Sequence, residues 1–300
     1  MKIFAIIVTY NAMHRGWIDR CMKSLYNSTV PVVPVIVDNG STDETRTHVP
    51  ATYPDAIWMP QKENKGFGQA NNIGIKYALA HQADYILLLN QDAAISPDAI
   101  ERMLAVSDGL SLLSPLHLNG DGTKIDKLFR ETLKNARYNM NDDLLIRHTL
   151  NDVYETGEIC AACWFMPVSI LQHIGGFNPL FFHYSEDNNY YHRLVFHHVK
   201  TLLVPHAYMY HDRLTQGNKK AYDHHLIRRE LILAACNINK GLAARVVDYF
   251  RTLVRCYVHE LPAHNYVPGN FLLGMGWILF HLGPVYQSRR QEKKKGCTWL

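Results

Sequence analysis

Residues 85–92 read Tyr-Ile-Leu-Leu-Leu-Asn-Gln-Asp, five apolar or aromatic residues that run directly into two amides and a carboxylate. Helical spacing at residues 68–81 and 97–106 predicts helices on both sides of this run, as around a buried parallel strand. Ligands of open α/β sheets bind beyond the carboxyl ends of strands. Asn90, Gln91 and Asp92 are therefore candidate site residues, although a lone Asp after a strand is more commonly a cap or turn residue.

The first half of the chain alternates predicted strands and helices. Apolar runs at residues 3–9 and 32–37 predict strands, and residues 17–26 between them have helical spacing. A short third strand is expected at residues 56–59. Strand–helix–strand units of this kind are parallel and right-handed, so the sequence predicts an α/β fold with a doubly wound, mostly parallel central sheet.

Polar residues stand at the ends of three of these strands: Thr9, Tyr10 and Asn11, then Asp38 and Asn39, then Asn90, Gln91 and Asp92. If the first and fourth strands are neighbours where the strand order reverses, all three ends border one crevice, and a nucleotide fits there. The Asp38 carboxylate suits a base N–H or a ribose hydroxyl, and Tyr10 can stack on the base. Asp92 can hold a divalent cation over a pyrophosphate.

A glycine-rich loop at residues 64–74 leads into the helix before the central strand. It matches only the first half of G-x-G-x-x-G and follows a later strand, which disfavours a dinucleotide site, and the chain has no P-loop motif. Two interpretations stay open. The loop is a helix start that needs flexible backbone, or Gly66, Phe67 and Asn72 approach a bound donor.

Three motifs occur in order: VDNGSTD at residues 37–43, NKGFGQANNIG at 64–74 and LNQD at 89–92. Together they resemble the signatures of the inverting family 2 glycosyltransferases, which have the nucleotide-diphospho-sugar transferase (GT-A) fold. The closest resemblance is to the rhamnosyltransferase-like branch, where Asn-Gln-Asp replaces Asp-x-Asp. The resemblance implies a GT-A catalytic domain over residues 1–215 whose strand ends and glycine loop bind a nucleoside-diphosphate sugar.

Glu186 and Asp187 are the candidate catalytic residues. Inverting transfer needs a carboxylate that takes the proton of the acceptor hydroxyl while the anomeric carbon is attacked from behind. By resemblance to the family's Glu-Asp motif, Asp187 is that base and Glu186 orients it. The alternative is that both acids only favour the start of a helix predicted at residues 188–196. The sequence departs from the family at Asn189, where Asp is common.

A divalent cation, Mg²⁺ or Mn²⁺, is the expected cofactor. Residues 200–204 predict a strand, and alternation beyond it sends His206 and His211 to opposite sides. His211 resembles the histidine with which related transferases complete the metal and pyrophosphate site, so Asp92 and His211 are the expected metal ligands. No Arg or Lys stands in the predicted strand ends, which also argues for a cation.

Aromatic residues near the acidic pair are candidates for acceptor binding. Core packing is their commoner fate, but sugar rings present apolar C–H faces, so Trp164 and Tyr184 are the expected acceptor contacts. The polar segment at residues 119–151 is expected to cover the cleft.

Charge divides the chain near residue 211. Residues 1–211 carry 17 Lys or Arg against 21 Asp or Glu, whereas residues 212–300 carry 14 against 6. The basic region, residues 216–300, is predicted to be helical, and its apolar stretch at 271–280 is too short to span a bilayer. It suits an interfacial helix on the inner face of the plasma membrane, or equally a core helix with a solvated tail. Scattered cysteines indicate reduced thiols in a cytoplasmic protein, and no motif favours nucleic acid.

The resemblance implies a metal-dependent, inverting hexosyltransferase of cell-surface polysaccharide synthesis. The expected donor is dTDP-L-rhamnose, and the expected acceptor is a hydroxyl of a glycan or lipid-linked glycan. The alternatives are a UDP-sugar transferase for a hexose or galactofuranose and a non-catalytic nucleotide-sugar or glycan binder. A sugar-phosphate nucleotidyltransferase is disfavoured, because the loop after the first strand lacks glycines flanked by Arg and Lys.

Overall fold

The computed structural model describes residues 1–133, 139–213, 224–260, 272–273, 276 and 279–300. Its strands form one nine-stranded sheet. In chain order they are β1 (Ile3–Thr9), β2 (Val33–Asp38), β3 (Ile57–Pro60), β4 (Tyr85–Asn90), β5 (Ala93–Ile95), β6 (Leu112–Asn119), β7 (Tyr154–Thr156), β8 (Cys163–Pro167) and β9 (Thr201–His211).

Helices of the described residues cover this sheet and extend beyond it. They are α1 (Trp17–Tyr26), α2 (Thr45–Thr52), α3 (Phe67–Ala80), α4 (Ala99–Ala105), α5 (Lys127–Thr132), α6 (Val168–Ile174), α7 (Glu186–Phe196), α8 (His224–Cys236), α9 (Leu242–Glu260) and α10 (Leu282–Glu292). The helix predicted at residues 17–26 is α1. The helix predicted at residues 68–81 is α3, which begins at Phe67, so most of the glycine-rich stretch at 64–74 is helical.

The strand order is β3-β2-β1-β4-β8-β6-β9-β5, and β7 pairs with β9. The first four strands of this order are mutually parallel. After them, β8 runs antiparallel between β4 and β6, while β6 and β9 are parallel. The predicted α/β fold is confirmed; the sheet is mixed, and its parallel part is the half in which the sequence alternates strand and helix.

The predicted reversal of strand order lies between β1 and β4. Thr9 at the end of β1 is level with Asp38 at the end of β2, and Val8 is level with Asn90 at the end of β4. The polar residues that follow these strands therefore meet at one edge of the sheet. This is the edge at which open α/β sheets bind ligands.

Side chains of the central strands alternate between two cores, one on each side of the sheet. In β1, Phe4 and Ile6 join one cluster, whereas Ala5 and Ile7 join the other. Both faces of the strand are thus buried under helices, which explains why its sequence is continuously apolar instead of alternating.

A third and smaller core joins the C-terminal helices to the rest of the protein. It includes Phe181, Leu231 of α8, Cys256 of α9 and Val285 of α10. Helices α8 and α9 lie in the region 216–300 that was predicted to be helical, whereas much of its apolar stretch at 271–280 lies outside the described residues. Among the described helices, none is long and apolar enough to cross a membrane. Four of the six cysteines, Cys21, Cys163, Cys236 and Cys256, are buried, and Cys297 is exposed.

Candidate active site

Hydrogen bonds tie the ends of β1 and β4 together. Gln91 accepts from the backbone N–H of Tyr10 at 2.8 Å and donates to its carbonyl oxygen at 3.2 Å. Asn11 connects this end to the loop after β2, because its side chain accepts from the N–H of Thr42 at 2.8 Å. The Tyr10 side chain stays 45% exposed and is free to stack on a ligand.

Thr9, Asp38 and Asn39 lie buried behind this edge. The Asp38 carboxylate accepts hydrogen bonds from the Ser41 hydroxyl at 2.5 Å and from the Thr9 hydroxyl at 3.3 Å. Asn39 accepts from the N–H of Lys65 at 2.8 Å. Thr9, Asp38 and Asn39 thus have their polar groups paired within the protein, and their contact with a donor stays a prediction.

The glycine-rich loop packs against the segment that precedes the acidic pair. A Cβ at Gly66 would lie 1.9 Å from the carbonyl oxygen of Phe182, and Gly66 has a φ of +82°. The N–H of Phe67 donates to the same oxygen at 3.1 Å. Glycine is required here for the close approach of two backbones, so Gly66 supports the turn before the acidic pair. Its contact with a donor stays a prediction.

Asn72 has a similar structural role. Its buried amide donates to the carbonyl oxygen of Phe177 at 2.8 Å and accepts from the N–H of the same residue at 2.7 Å. Both polar atoms of the amide are thereby used, which contradicts the prediction that Asn72 contacts the donor. The contact anchors α3 to the turn that leads toward the acidic pair.

The acidic pair follows a turn with unusual backbone geometry. Tyr184 and Ser185 both have a φ of 65°, in the left-handed region that non-glycine residues rarely adopt and that costs about 1–3 kcal/mol for each residue. Glu186 and Asp187 occupy the first turn of α7 directly after it. The packing of the glycine loop on this turn holds the two acids in place.

A third carboxyl group, that of Glu158, lies beside this pair. Burial, and then the negative charge of Asp187, raise the pKa of Glu186 to about 8, and the same two causes raise the pKa of Glu158 to about 7. Burial also raises the pKa of Asp187, against the opposing effect of the N–H groups of Asn188 and Ala161. A helix N-terminus stabilises a carboxylate and lowers its pKa. At Asp187 burial outweighs this effect, and a carboxylate with a raised pKa is a better general base.

Asp92 and His211 are in direct contact. β5 pairs with β9 so that Ala93 is level with His211, and His211 Nε2 lies 3.2 Å from Asp92 Oδ1. His211 Nδ1 and Asn90 Oδ1 are buried nearby without a hydrogen-bond partner. The structure thus brings together the two residues that the sequence predicted as metal ligands.

The donor set at Asp92 and His211 fits a cation that the substrate completes. No cluster of three or more His, Cys, Asp or Glu side chains able to hold a metal occurs in the part of the chain that the structure describes. Mg²⁺ is commonly bound by one or two carboxylates together with substrate phosphates, and imidazole and carboxylate suit Mn²⁺ as well. A nucleoside diphosphate would supply the missing oxygen ligands.

A cavity of about 300 Å³ connects these groups. The acidic pair and His211 line it together, along with Phe67, Asn90 and Arg213. Leu128 and Thr132 also reach it from α5, so part of the segment predicted to cover the cleft lies at the cavity. One compartment therefore contains a candidate base, a candidate metal site and a fixed positive charge.

Residues 4–175, more than half of the chain, match the sequence model of Glycosyl transferase family 2. The chain belongs to this family. A low-salt glycan biosynthesis hexosyltransferase of Haloferax volcanii is 26% identical over 204 residues, which are 63% of this chain and 60% of that protein. An N-acetylglucosaminyl-diphospho-decaprenol L-rhamnosyltransferase of Mycobacterium tuberculosis is 24% identical over 194 residues, 57% of this chain and 63% of that protein. The chain thus matches about three fifths of the length of these relatives.

Solved structures of similar fold bear out the GT-A assignment. TarS of S. aureus, residues 1–349 in complex with UDP-GlcNAc, has a TM-score of 0.59 at 18% identity, over 98% of this chain and 88% of that one. A mannosyltransferase of Pyrobaculum calidifontis in complex with GDP-Man and Mn²⁺ has a TM-score of 0.56 at 17% identity, over 97% and 84%. At these identities the likeness concerns the fold. The acidic pair lies beyond the stretch that the family model matches.

In this family 2 glycosyltransferase Trp164 is a core residue. Its side chain is 1% exposed, stacks on Phe177 at a centroid distance of 5.9 Å, and donates its indole N–H to the carbonyl oxygen of Ile159. The prediction that Trp164 contacts the acceptor is wrong, because core side chains cover its ring. Tyr184 is 55% exposed, with the Arg229 guanidinium 4.5 Å from its ring, and remains available to an acceptor.

Sequence reasoning missed three charged residues of the candidate site, Glu158, Arg213 and Arg229. Arg213 lines the cavity and donates to Asp126 at 3.0 Å. It stands two residues after the end of β9, but the predicted strand ended at residue 204, so no strand end was assigned there. Glu158 and Arg229 reach the site through contacts between distant segments, and no local motif marks either of them.

Proposed function

We propose that this protein transfers a sugar, with inversion, from a nucleoside-diphosphate sugar to a hydroxyl of a glycan or lipid-linked glycan. One observation carries the proposal: the acidic pair of α7 and the histidine that contacts Asp92 line the same cavity, beside the edge where β1, β2 and β4 end. Family membership supports sugar transfer, and the geometry supports the assignment of roles.

Asp187 is the proposed base. The acceptor oxygen attacks the anomeric carbon from the side opposite the nucleoside diphosphate and releases its proton to Asp187. Burial favours this transfer, because it raises the pKa of the carboxylate. Glu186, whose pKa of about 8 keeps it largely protonated at neutral pH, does not oppose the negative charge of Asp187 and is free to donate a hydrogen bond.

Asp92 and His211 are the residues that would hold Mg²⁺ or Mn²⁺. The cation, when bound, would neutralise charge on the departing nucleoside diphosphate. Arg213 supplies a second positive charge on the cavity wall. Tyr10 is the proposed contact for the base, and Tyr184 is the proposed contact for the acceptor sugar.

dTDP-L-rhamnose is the donor that we propose to test first, because the motifs resemble the rhamnosyltransferase-like branch and a relative is named a rhamnosyltransferase. UDP-hexose and UDP-galactofuranose are the alternatives. The proposed setting is cell-surface polysaccharide synthesis, at the cytoplasmic face of the plasma membrane.

Calorimetric titration with dTDP, UDP and GDP, each with and without Mn²⁺, tests the proposal. Metal-dependent binding of one nucleotide would identify the base of the donor, and the matching sugar nucleotide would then be assayed for transfer, with the anomeric configuration of the product read by NMR. If the folded protein binds none of the three nucleotides, the assigned site is wrong, and a non-catalytic binding protein becomes the favoured alternative.

A further inference from the structure

The C-terminal helices present a surface of exposed apolar side chains, here called the apolar face. Its members, 46% to 86% exposed, are Leu242, Val246, Val247, Phe250, Val254 and Val258 of α9, together with Leu279, Phe280, Leu282 and Tyr286. Isolated exposed apolar residues are ordinary, but a continuous set marks an interaction surface.

Helix α9 is apolar on two sides. Tyr249, Leu253 and Cys256 pack toward the third core, and the stripe Leu242–Val246–Phe250–Val254–Val258, spaced four residues apart, points away from it. A helix of a globular protein ordinarily has one apolar stripe. The second stripe of α9 therefore has no function in the described core.

The apolar face is continuous between the two helices. Side chains of α9 and α10 border an apolar groove of about 390 Å³, with Leu242 and Phe250 on one wall and Leu282 and Tyr286 on the other. The residues of one helix thus extend the apolar surface of its neighbour.

Positive charge surrounds the apolar face. Residues 242–300 contain eight Lys or Arg and three Asp or Glu. Asp248 is paired with Lys240, and Glu292 is buried. Arg290 and Lys293–Lys295 are exposed where α10 ends, so the apolar face continues into a basic patch.

We propose that the apolar face docks on an anionic membrane surface. Apolar side chains at the level of the acyl chains, flanked by Lys and Arg at the level of the headgroups, are complementary to such a surface. A second copy of this chain is a poorer occupant, because a two-fold contact pairs the same patch on both copies and would bring two basic patches together. The proposal concerns where the enzyme sits and does not depend on the assigned catalytic residues.

Flotation of the full chain with vesicles tests this docking. We expect binding to vesicles of phosphatidylcholine mixed with phosphatidylglycerol, weaker binding to phosphatidylcholine alone, and weakening by salt. The double variant Phe250→Glu/Leu282→Glu should lose at least about tenfold in partitioning, since it removes two large apolar contacts and adds negative charge. The matched control, Leu110→Glu/Leu145→Glu, changes exposed leucines outside the apolar face and should bind like the wild type.

Three outcomes would overturn the docking proposal. They are no flotation of the wild type with anionic vesicles, equal flotation of both double variants, and a wild-type dimer in sedimentation that Phe250→Glu/Leu282→Glu dissociates. Nucleotide binding by the same double variant, measured by calorimetry, should stay unchanged. This readout separates a failure of docking from a failure of the proposed function.

A different observation concerns Glu292, at the end of α10, which is 1% exposed. Its Oε1 accepts hydrogen bonds from the side-chain amides of Asn178 and Asn189, each at 2.7 Å. Its backbone carbonyl accepts from His197 Nε2 at 2.8 Å. One buried carboxylate thus joins two points that flank the acidic pair in the chain.

The end of the chain holds the same segment at further points. The carbonyl oxygen of Thr298 accepts from the N–H of Gly176 at 2.8 Å, and the Trp299 ring lies 4.6 Å from the Arg193 guanidinium. Arg193 in turn donates to the carbonyl oxygens of Gly176 and Ile174. The acidic pair is therefore bracketed by contacts with residues 292–299.

We propose, on the basis of the proposed function, that Glu292 is a positioning residue for Asp187. Asn178 and Asn189 lie on either side of the turn that contains the left-handed residues Tyr184 and Ser185. Anchoring both ends on one carboxylate fixes where α7 starts and hence the direction of its first carboxylates. A misplacement on the order of 1 Å costs a catalytic group up to about a hundredfold in rate.

A set of four variants tests this role. Glu292→Ala should lower kcat by about tenfold or more with little change in the KM for donor, whereas Glu292→Gln keeps an oxygen acceptor for both asparagines and should retain most activity. Asn189→Asp alone sets two carboxylates against each other and should resemble Glu292→Ala. The double variant Asn189→Asp/Glu292→Gln reverses the pair, with the new glutamine amide donating to the new carboxylate, and should recover kcat.

Hydrogen–deuterium exchange gives a readout that does not need activity. Peptides covering residues 178–189 should exchange faster in Glu292→Ala than in the wild type, while peptides of β1 and β4 should not change. Unchanged kcat in Glu292→Ala with only a lowered Tm, or no recovery in the double variant, would overturn the positioning role. If the wild type lacks transfer activity but the exchange pattern is as expected, the fault lies with the proposed function.

Discussion

The strand-end edge of the site and the acidic wall of the cavity are built in opposite ways. At the strand-end edge, Asp38, Asn39 and Gln91 are paired with neighbouring protein groups. On the acidic wall, Glu186 is buried and Asp187 is half-buried, both have raised pKa values, and Glu186 Oε2 has no hydrogen-bond partner. A paired edge is a preformed surface, whereas a buried acid with an unpaired oxygen raises the free energy of the folded protein in favour of chemistry. Binding and catalysis should therefore respond to different mutations.

The largest expected effect is that of Asp187→Asn, which removes the base from the acidic wall. Transfer should fall by at least ~10²-fold, because proton removal from the acceptor loses its positioned carboxylate. The affinity for the nucleotide, measured by calorimetry, should stay the same. Glu158→Gln is the matched control, since it changes a neighbouring buried carboxyl that is not the base. Equal transfer rates in Asp187→Asn and the wild type would exclude the assigned role.

Next in size is the loss of the Asp92–His211 pair. Asp92→Ala and His211→Ala should each weaken Mn²⁺-dependent nucleotide binding by about tenfold or more, because each removes one of the two protein ligands available to the cation. His206→Ala, on the same strand, is the control and should bind like the wild type. Metal-dependent binding that survives both substitutions would show that the cation sits elsewhere.

A smaller effect is expected where the glycine loop supports the acidic wall. Gly66→Ala places a Cβ 1.9 Å from the Phe182 carbonyl oxygen, whereas Gly16→Ala, also at positive φ, meets nothing within 4 Å. Gly16 has left-handed helical angles, so Gly16→Ala should lose about 1–2 kcal/mol to backbone strain. Gly66, at φ 82° and ψ 165°, lies in a region that is essentially restricted to glycine, so Gly66→Ala should lose about 1–3 kcal/mol to strain and a further ~1–3 kcal/mol to the clash. The difference should appear as a lower Tm in thermal unfolding. Equal Tm values for the two variants would mean that the loop shifts and relieves the clash with the Phe182 carbonyl oxygen.

The last expected effect is on the pH dependence of stability. Glu186 has a pKa of about 8 in the folded protein against an ordinary value of 4.5, so the folded state binds more protons than the unfolded state between these values. The resulting contribution to stability is complete below about pH 4.5 and is lost as the pH rises toward 8. Tm should therefore fall over this window, and Glu186→Gln should flatten the curve. An equally steep fall in the variant would assign the effect to other groups.

Local patterns predicted the strand ends and the acidic pair well, and they predicted the contacts between distant segments poorly. The strand ends and the Asp92–His211 pair were found because each signal lies within a short stretch of sequence. These signals are an apolar run, the polar residues that end it, and the family motifs. Asn72 was misassigned because its partner, Phe177, lies 105 positions away. Trp164 was misassigned because no local pattern distinguishes a buried indole from an exposed one. Glu292 and Asn189 are 103 positions apart, so neither the motif nor the helix pattern marks their contact.

The amino-acid sequence by itself determined the parallel half of the sheet, the edge at which its polar strand ends meet, and the acidic pair at a helix start. It could do so because the spacing of apolar residues, and the polar residues that end each apolar run, are visible among neighbouring residues in the sequence. The tertiary structure alone decided which polar side chains face the cavity and which are used within the protein. Packing between distant segments decides whether a carboxylate is paired within the protein, as Asp38 is, or lines the cavity, as Asp187 does.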